Sequence, residues 1–253
     1  MAKGGTVSII LAAGKGTRIN SRDMNKVVYP FLGRPMILYG VELFEKVSSP
    51  VIVVVGAYTR SVKKALHNRQ KVRFAYQKRQ LGTGHAVKVA LKVLEKYSPT
   101  TVLVGMGDHM MFYKKETIEK LLKEHRKQKA IASFLTIKYH SPNELAWGRV
   151  ERDRKGNVLD IVEQKDATEK QKKIKELNSG FYCFDYDFLR KDINKLKKSK
   201  ASGEYYLTDI VKAAVKDGEK VVGMPVRFRE VGIGINRHEE LLESQDLYKR
   251  FQT

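Results

Sequence analysis

Residues 7–13, 51–55, 72–76 and 102–106 are short β-rich apolar runs, and stretches at 36–47, 61–66, 85–97 and 116–127 place their apolar residues at helical spacing. Strand followed by helix, repeated, leaves few solutions, because strands joined through helices pair in parallel with right-handed crossovers. The second half changes character. Runs at 131–137, 148–152, 158–163 and 179–184 read as strands joined by turn signals such as Arg154-Lys155-Gly156-Asn157, with less helix between them, so the sheet there is expected to be mixed. Helical stretches at 186–197, 206–216 and 239–251 follow. The chain has no internal repeat, no low-complexity segment and no Pro/Gly-rich linker, so residues 1–253 are expected to form a single mixed α/β domain.

In such a sheet ligands bind beyond the carboxyl ends of the strands, and residues there carry the functional signal. The first strand runs into "LAAGKGTRI" at 11–19. Glycines let a backbone turn tightly and bring its N–H groups up to phosphate oxygens, and an arginine adds a planar fork for charge-assisted contacts. This loop lacks the spacing of a Walker A sequence. Ile19 stands where a dinucleotide fingerprint has its third glycine, and Gly56-Ala57-Tyr58 follows the second strand without the acidic residue such a fold needs, which argues against an oxidoreductase. The third strand leads into "QKRQLGTGHA" at 77–86, where the Gln77 amide suits the edge of a pyrimidine and Gly82 leaves room for a flat ring. After the fourth strand comes Asp108, a carboxylate suited to a hard cation shared with substrate phosphates. No second His or Cys lies at ligand spacing from His109, so zinc is not expected.

The formal charge of +21 invites a nucleic-acid reading. Its excess, however, sits in 114–129, 169–176 and 190–200, where Lys and Glu intersperse with Leu and Ile as on solvated helix faces, and neither a nucleic-acid nor a membrane partner is expected. No segment reaches the length of a membrane span, and the apolar start runs straight into the glycine loop without a cleavage site, so a cytoplasmic location is expected. The lone Cys183, in "FYCF", reads as a buried and inert thiol.

Eight blocks in order, "LAAGKGTR", "KVVYPFLGRPM", "QLGTGHA", Gly107-Asp108, "WGRV", "VEQKDAT", "ELNSGFY" and "GEYYLTDIV", resemble the sugar-1-phosphate nucleotidyltransferase family, above all the uridylyltransferase domain of bifunctional N-acetylglucosamine-1-phosphate uridylyltransferases. The resemblance spans about residues 7–248. It implies a Rossmann-like three-layer α/β fold with a mixed, mostly parallel central sheet. It divides the chain into a nucleotide-binding half at about 1–110, a sugar-phosphate half at about 111–236 and a C-terminal helix at about 237–251, without an acetyltransferase domain. The implied substrates are UTP and a hexose 1-phosphate, with Mg²⁺ as cofactor. Leu11, Ala12, Ala13, Gly14, Gly16 and Thr17 would cradle the triphosphate, Arg18 and Lys26 would act on the reacting phosphates, and Gln77, Gly82 and Thr83 would read the uracil. Asp108 and Asn236 would hold the metal, and Gly148, Glu163, Asn178 and Thr208 would line the sugar-phosphate pocket. The run Asp108-His109-Met110-Met111-Phe112 and Met106 depart from the family pattern beside the sugar, leaving N-acetylglucosamine, glucose or another hexose open. A non-catalytic nucleotide-binding module is the alternative from another class.

Overall fold

The computed structural model describes residues 4–16, 19 and 23–252. Nine strands among the described residues form one sheet: β1 (Thr6–Ala12), β4 (Val51–Val55), β5 (Val72–Tyr76), β6 (Thr101–Met106), β7 (Ala132–Lys138), β8 (Arg149–Arg152), β9 (Val158–Val162), β10 (Glu176–Asp185) and β11 (Val221–Pro225). The remaining two, β2 (Pro30–Phe31) and β3 (Arg34–Pro35), make a small hairpin. The main order is β11-β7-β10-β6-β1-β4-β5, with the β8–β9 hairpin attached through β10. Pairing is parallel for β1 with β4 and β6, for β4 with β5 and for β11 with β7, while β10 runs antiparallel to both β6 and β7. A mostly parallel sheet with a reversed β10 is the mixed arrangement that the sequence predicts.

Both faces of the sheet are covered, and the strands record this in alternation. Ile9, Ile52, Val54, Val102 and Val104 join one core cluster with Val87, Leu91 and Leu94 of α3 (Thr83–Leu94), Leu189 of α6 (Tyr186–Asp192) and Ile210 of α7 (Asp209–Lys216). Ile10, Val53 and Leu103 point the other way, toward Ile37, Val41 and Phe44 of α1 (Met36–Glu45), Val62 of α2 (Thr59–Ala65) and Ile118 and Leu121 of α4 (Lys115–Lys127). These helices and the sheet between them make the three-layer, Rossmann-like α/β fold. A third cluster, with Phe31, Met36, Phe112 and Ile235, packs under Leu241, Tyr248 and Phe251 of α8 (His238–Gln252). The short α5 (Glu169–Lys172) completes the helices. Among the described residues no helix is long and apolar enough to cross a membrane.

Helix ends depart from expectation by a few residues. The stretch 85–97 is α3 from Thr83 followed by a 3₁₀ turn at 95–97, and 186–197 breaks after Asp192 into a 3₁₀ turn at 193–195. Strand β11 is absent from the sequence reading: Val221-Val222-Gly223-Met224-Pro225 is short, carries a glycine and ends in proline, so its strand character comes from pairing with β7. Cys183 is fully buried on β10, and burial pushes its thiol well above the ordinary cysteine range.

Candidate active site

The chain leaves β1 toward β4 and β5, then returns to lay β6 on the other side of β1, so a topological switch lies between β4 and β6. The carboxyl ends of these strands meet there. Leu11 O accepts from Gly107 N at 3.0 Å, and Ala13 O accepts from Ala57 N at 3.2 Å. Gly16, at φ +65°, reverses the backbone, and a Cβ on Gly14 would stand in open space. Leu11 and Ala12 thus end β1, and Ala13, Gly14 and Gly16 belong to the loop beyond it that the sequence reading assigns to the triphosphate, while Thr17 and Arg18 lie outside the described residues.

Lys26 begins a 3₁₀ turn at Lys26–Val28. Its Nζ lies 2.5 Å from Asp108 Oδ2 and donates to Asn236 Oδ1 at 3.0 Å and to Ile235 O at 2.8 Å. Residues more than two hundred positions apart are brought together by this contact. The Asp108 backbone takes part as well, its carbonyl accepting from Ile235 N at 3.1 Å, and Glu240 Oε2 accepts from the N–H groups of Asn236 and Arg237 at the start of α8. The Asp108 and Asn236 side-chain oxygens therefore surround one cationic atom. Two hard oxygen donors of this kind suit Mg²⁺, which takes one or two protein ligands and completes its octahedron with phosphate and water. Among the described residues no three His, Cys, Asp or Glu side chains gather into a fuller metal cage.

Thr83, Asp108, Gly148, Glu163, Asn178 and Asn236 line a common cleft of about 530 Å³. One wall comes from β10, where the pairing with β7 is irregular between Asn178 and Tyr182 and Gly180 adopts φ +79°. That irregularity holds the Asn178 amide in place, with Nδ2 donating to the Tyr182 hydroxyl at 2.6 Å and Oδ1 accepting from Gly180 N at 3.1 Å. Glu163 follows β9 and accepts from Thr208 Oγ1 at 3.0 Å. Burial raises the Glu163 carboxyl above its ordinary value, and the Thr208 hydrogen bond only partly offsets this.

Gln77, Gly82 and Thr208 are not among the described residues that line this cleft. Gln77 is buried, and its Nε2 donates to His85 Nδ1 at 2.9 Å and to Gly82 O at 3.2 Å. Desolvation lowers the His85 pKa, which suits a neutral ring accepting that bond. The loop is stitched to the chain before α7 through Gly84 N to Tyr205 O at 2.8 Å and Leu207 N to Thr83 Oγ1 at 3.0 Å. Gly82, at φ +102°, has Tyr205 O so close that a Cβ would meet it at 2.5 Å. Thr208 is only 2% exposed and acts on Glu163.

Met106 and His109, which the sequence puts beside the sugar, line the cleft, and so do Trp147 and Arg237, which sequence reasoning does not single out. The His109 ring lies 4.7 Å from that of Trp147 and its Nε2 is 3.3 Å from Gly232 O, while burial pushes its imidazole pKa down. Arg149 has no exposed surface, and its guanidinium reaches inward to Pro142 O at 2.9 Å, Leu145 O at 3.4 Å, Asn143 Oδ1 at 3.1 Å and, very closely, Trp147 O. It thereby gathers the loop that carries Asn143, Leu145 and Trp147 into the cleft wall. The letters "WGRV" offer no hint that this arginine points into the protein.

The Rossmann-like α/β fold carries a glycine loop at the switch point with paired oxygens around Lys26, and the chain belongs to the nucleotidyl transferase family, which matches residues 7–232. Among curated relatives it is 41% identical over 245 residues to the Bifunctional protein GlmU of Caldicellulosiruptor saccharolyticus, covering 96% of this chain and 52% of that one. It is 39% identical over 243 residues to the protein of the same name from Geotalea uraniireducens, again covering 96% and 52%. The chain spans about half the length of these relatives. In fold it is similar to a UDP-glucose pyrophosphorylase complexed with UDP-glucose, with a TM-score of 0.77, 18% identity and 99% of both chains covered. It is likewise similar to a putative glucose-1-phosphate thymidylyltransferase from Bacillus anthracis in complex with a sucrose, with a TM-score of 0.76, 22% identity and 96% and 94% covered.

Proposed function

We propose that this chain transfers a uridylyl group from UTP to a hexose 1-phosphate, N-acetylglucosamine 1-phosphate foremost, releasing pyrophosphate. The observation that carries this reading is the contact of Lys26 Nζ with both Asp108 and Asn236 at the head of a cleft lined by Glu163 and Asn178. A phosphate oxygen of the sugar phosphate attacks the α-phosphorus of UTP in line, the new P–O bond forms as the bond to the pyrophosphate oxygen breaks, and pyrophosphate departs. The attacking oxygen is already anionic, so the reaction needs neither a general base nor a protein nucleophile.

The work left to the protein is to bring two polyanions together. Backbone N–H groups of residues 11–17 and the Arg18 side chain bind the triphosphate, and Lys26 neutralises charge as it builds on the reacting phosphates. Gln77, Gly82 and Thr83 shape the uracil end. Gly148, Glu163 and Asn178 orient the sugar phosphate, and Thr208 orients Glu163. Asp108 and Asn236 would hold Mg²⁺, which would supply charge neutralisation for the phosphates when bound.

The eight-block resemblance supports N-acetylglucosamine 1-phosphate. Met106 and the His109–Trp147 pair at the cleft are the features on which a preference for glucose 1-phosphate would rest. The test is a matrix of UTP, CTP and dTTP against N-acetylglucosamine, glucose and other hexose 1-phosphates, scored by pyrophosphate. Release with UTP and N-acetylglucosamine 1-phosphate above all other pairs is expected. Nucleotide binding without release from any pair would make the chain a binding module.

A further inference from the structure

Asn25 is 1% exposed and sits between the glycine loop and Lys26. Its Nδ2 donates to Ala12 O at 3.0 Å, to Gly14 O at 3.0 Å and to Ala57 O at 2.9 Å. A carboxamide carries two N–H hydrogens, so both are committed and one is shared between carbonyls. The other end of the side chain faces the opposite way: Asn25 Oδ1 accepts from Val27 N at 3.2 Å, capping the 3₁₀ turn that begins with Lys26. The Asn25 backbone N–H donates to Ser61 Oγ at 3.0 Å, and that hydroxyl in turn donates to Tyr58 O at 2.7 Å, tying the arrangement to the start of α2. One buried side chain thus clamps the ends of β1 and β4 while setting the origin of the lysine that reaches Asp108 and Asn236.

We propose that Asn25 is a positioning residue for the nucleotidyl transfer: it fixes the Ala12–Gly14 and Ala57 carbonyls against the turn of Lys26, and so sets where the triphosphate lies relative to the Lys26 ammonium. The inference rests on the transfer reading and goes beyond it, since the polar atoms of the Asn25 side chain are committed to the protein's own backbone. An amide is required because three acceptors face one end of the side chain and one donor faces the other. A carboxylate of the same shape has no donor to offer and would set its oxygens against three carbonyl oxygens.

The experiment compares N25D and N25S, each alone and combined with K26M, by kcat, KM and UTP binding. Kinetics are read on protein whose circular dichroism and melting show the folded state. N25D is expected to lower kcat about 10- to 100-fold, the range seen when a residue that orients an active group is lost. N25S, which adds no charge and keeps one hydroxyl donor, falls between N25D and the parent. Because Asn25 acts through Lys26, either change should add less than about threefold to the kcat loss of K26M, whereas a merely structural defect multiplies in full. Full multiplication in the double variants, or a parent-like kcat in folded N25S, overturns the proposal. If the parent chain releases no pyrophosphate with any pair, the transfer reading fails separately, and Asn25 is then judged by calorimetry with UTP: affinity weaker by about tenfold or more in N25S upholds the clamp, and unchanged affinity overturns it.

Discussion

Lys26 Nζ lies 2.5 Å from Asp108 Oδ2, joining the turn after the glycine loop to the end of β6. Both side chains are largely shielded, at 13% and 22% exposure, so the charges meet where water screens them less than at an open surface. The ammonium stands between the aspartate and Asn236, the pair assigned to the metal, and so lies beside the place where the reacting phosphates would gather.

From that position Lys26→Ala is expected to lower turnover about 10²- to 10³-fold, the loss of roughly 3–4 kcal/mol found for one preorganised group that stabilises developing charge. UTP affinity should fall far less. Steady-state kinetics with calorimetric UTP binding separate the two, and equal losses in kcat and affinity would mean that Lys26 binds only the ground state.

Arg149 predicts a split of the opposite kind. Replacing it with Met leaves the carbonyls of Pro142, Leu145 and Trp147 without their donor, and each unsatisfied buried group costs about 1–3 kcal/mol. R149M should unfold at lower urea and raise KM for the sugar phosphate about tenfold with little change in UTP binding. A shift confined to UTP would show that the 142–147 loop does not shape the sugar side.

Glu163 links the site to pH. Its carboxyl is raised by burial, so the folded protein binds this proton more tightly than the unfolded chain does. The associated stability is fully present below the ordinary glutamate value and is lost as pH rises through the raised folded value. E163Q has no such proton, and its stability relative to the parent should therefore increase across that window. Urea melts of both proteins at pH 4 to 8 check the sign, and a constant difference contradicts the burial argument.

Gly82→Ala is expected to destabilise the chain and weaken UTP binding. Its φ of +102° is strained for any residue with a side chain, at about 1–3 kcal/mol, and the added Cβ would press on Tyr205 O. A parent-like urea midpoint would show that the loop relaxes without cost.

Much of this architecture is legible in the residues. The apolar runs of β1, β4 and β6 stand out because their strands are buried on both faces, and their alternation with helices, together with the half-exposed edge strand β5, dictates the parallel sheet. Asp108 and Asn236 are found through motif and strand-end position, and the structure brings both to Lys26. What stays hidden depends on contacts between distant segments. β11 becomes a strand through β7, and Asn25 is an ordinary polar residue until three carbonyls converge on it. Nothing in the letters around Arg149 marks it as buried, yet it is enclosed by carbonyls of its own loop. Gln77 and Thr208 are singled out by motif, but the sequence does not show that their side chains bond to His85 and Glu163.

The most direct test of the account is the pyrophosphate burst in a single turnover of UTP with N-acetylglucosamine 1-phosphate and Mg²⁺, for the parent and for Asp108→Ala. The account predicts stoichiometric release by the parent and a rate at least about 10²-fold lower for folded D108A. A parent-like rate in D108A, or no release by the parent with any hexose 1-phosphate, would contradict it.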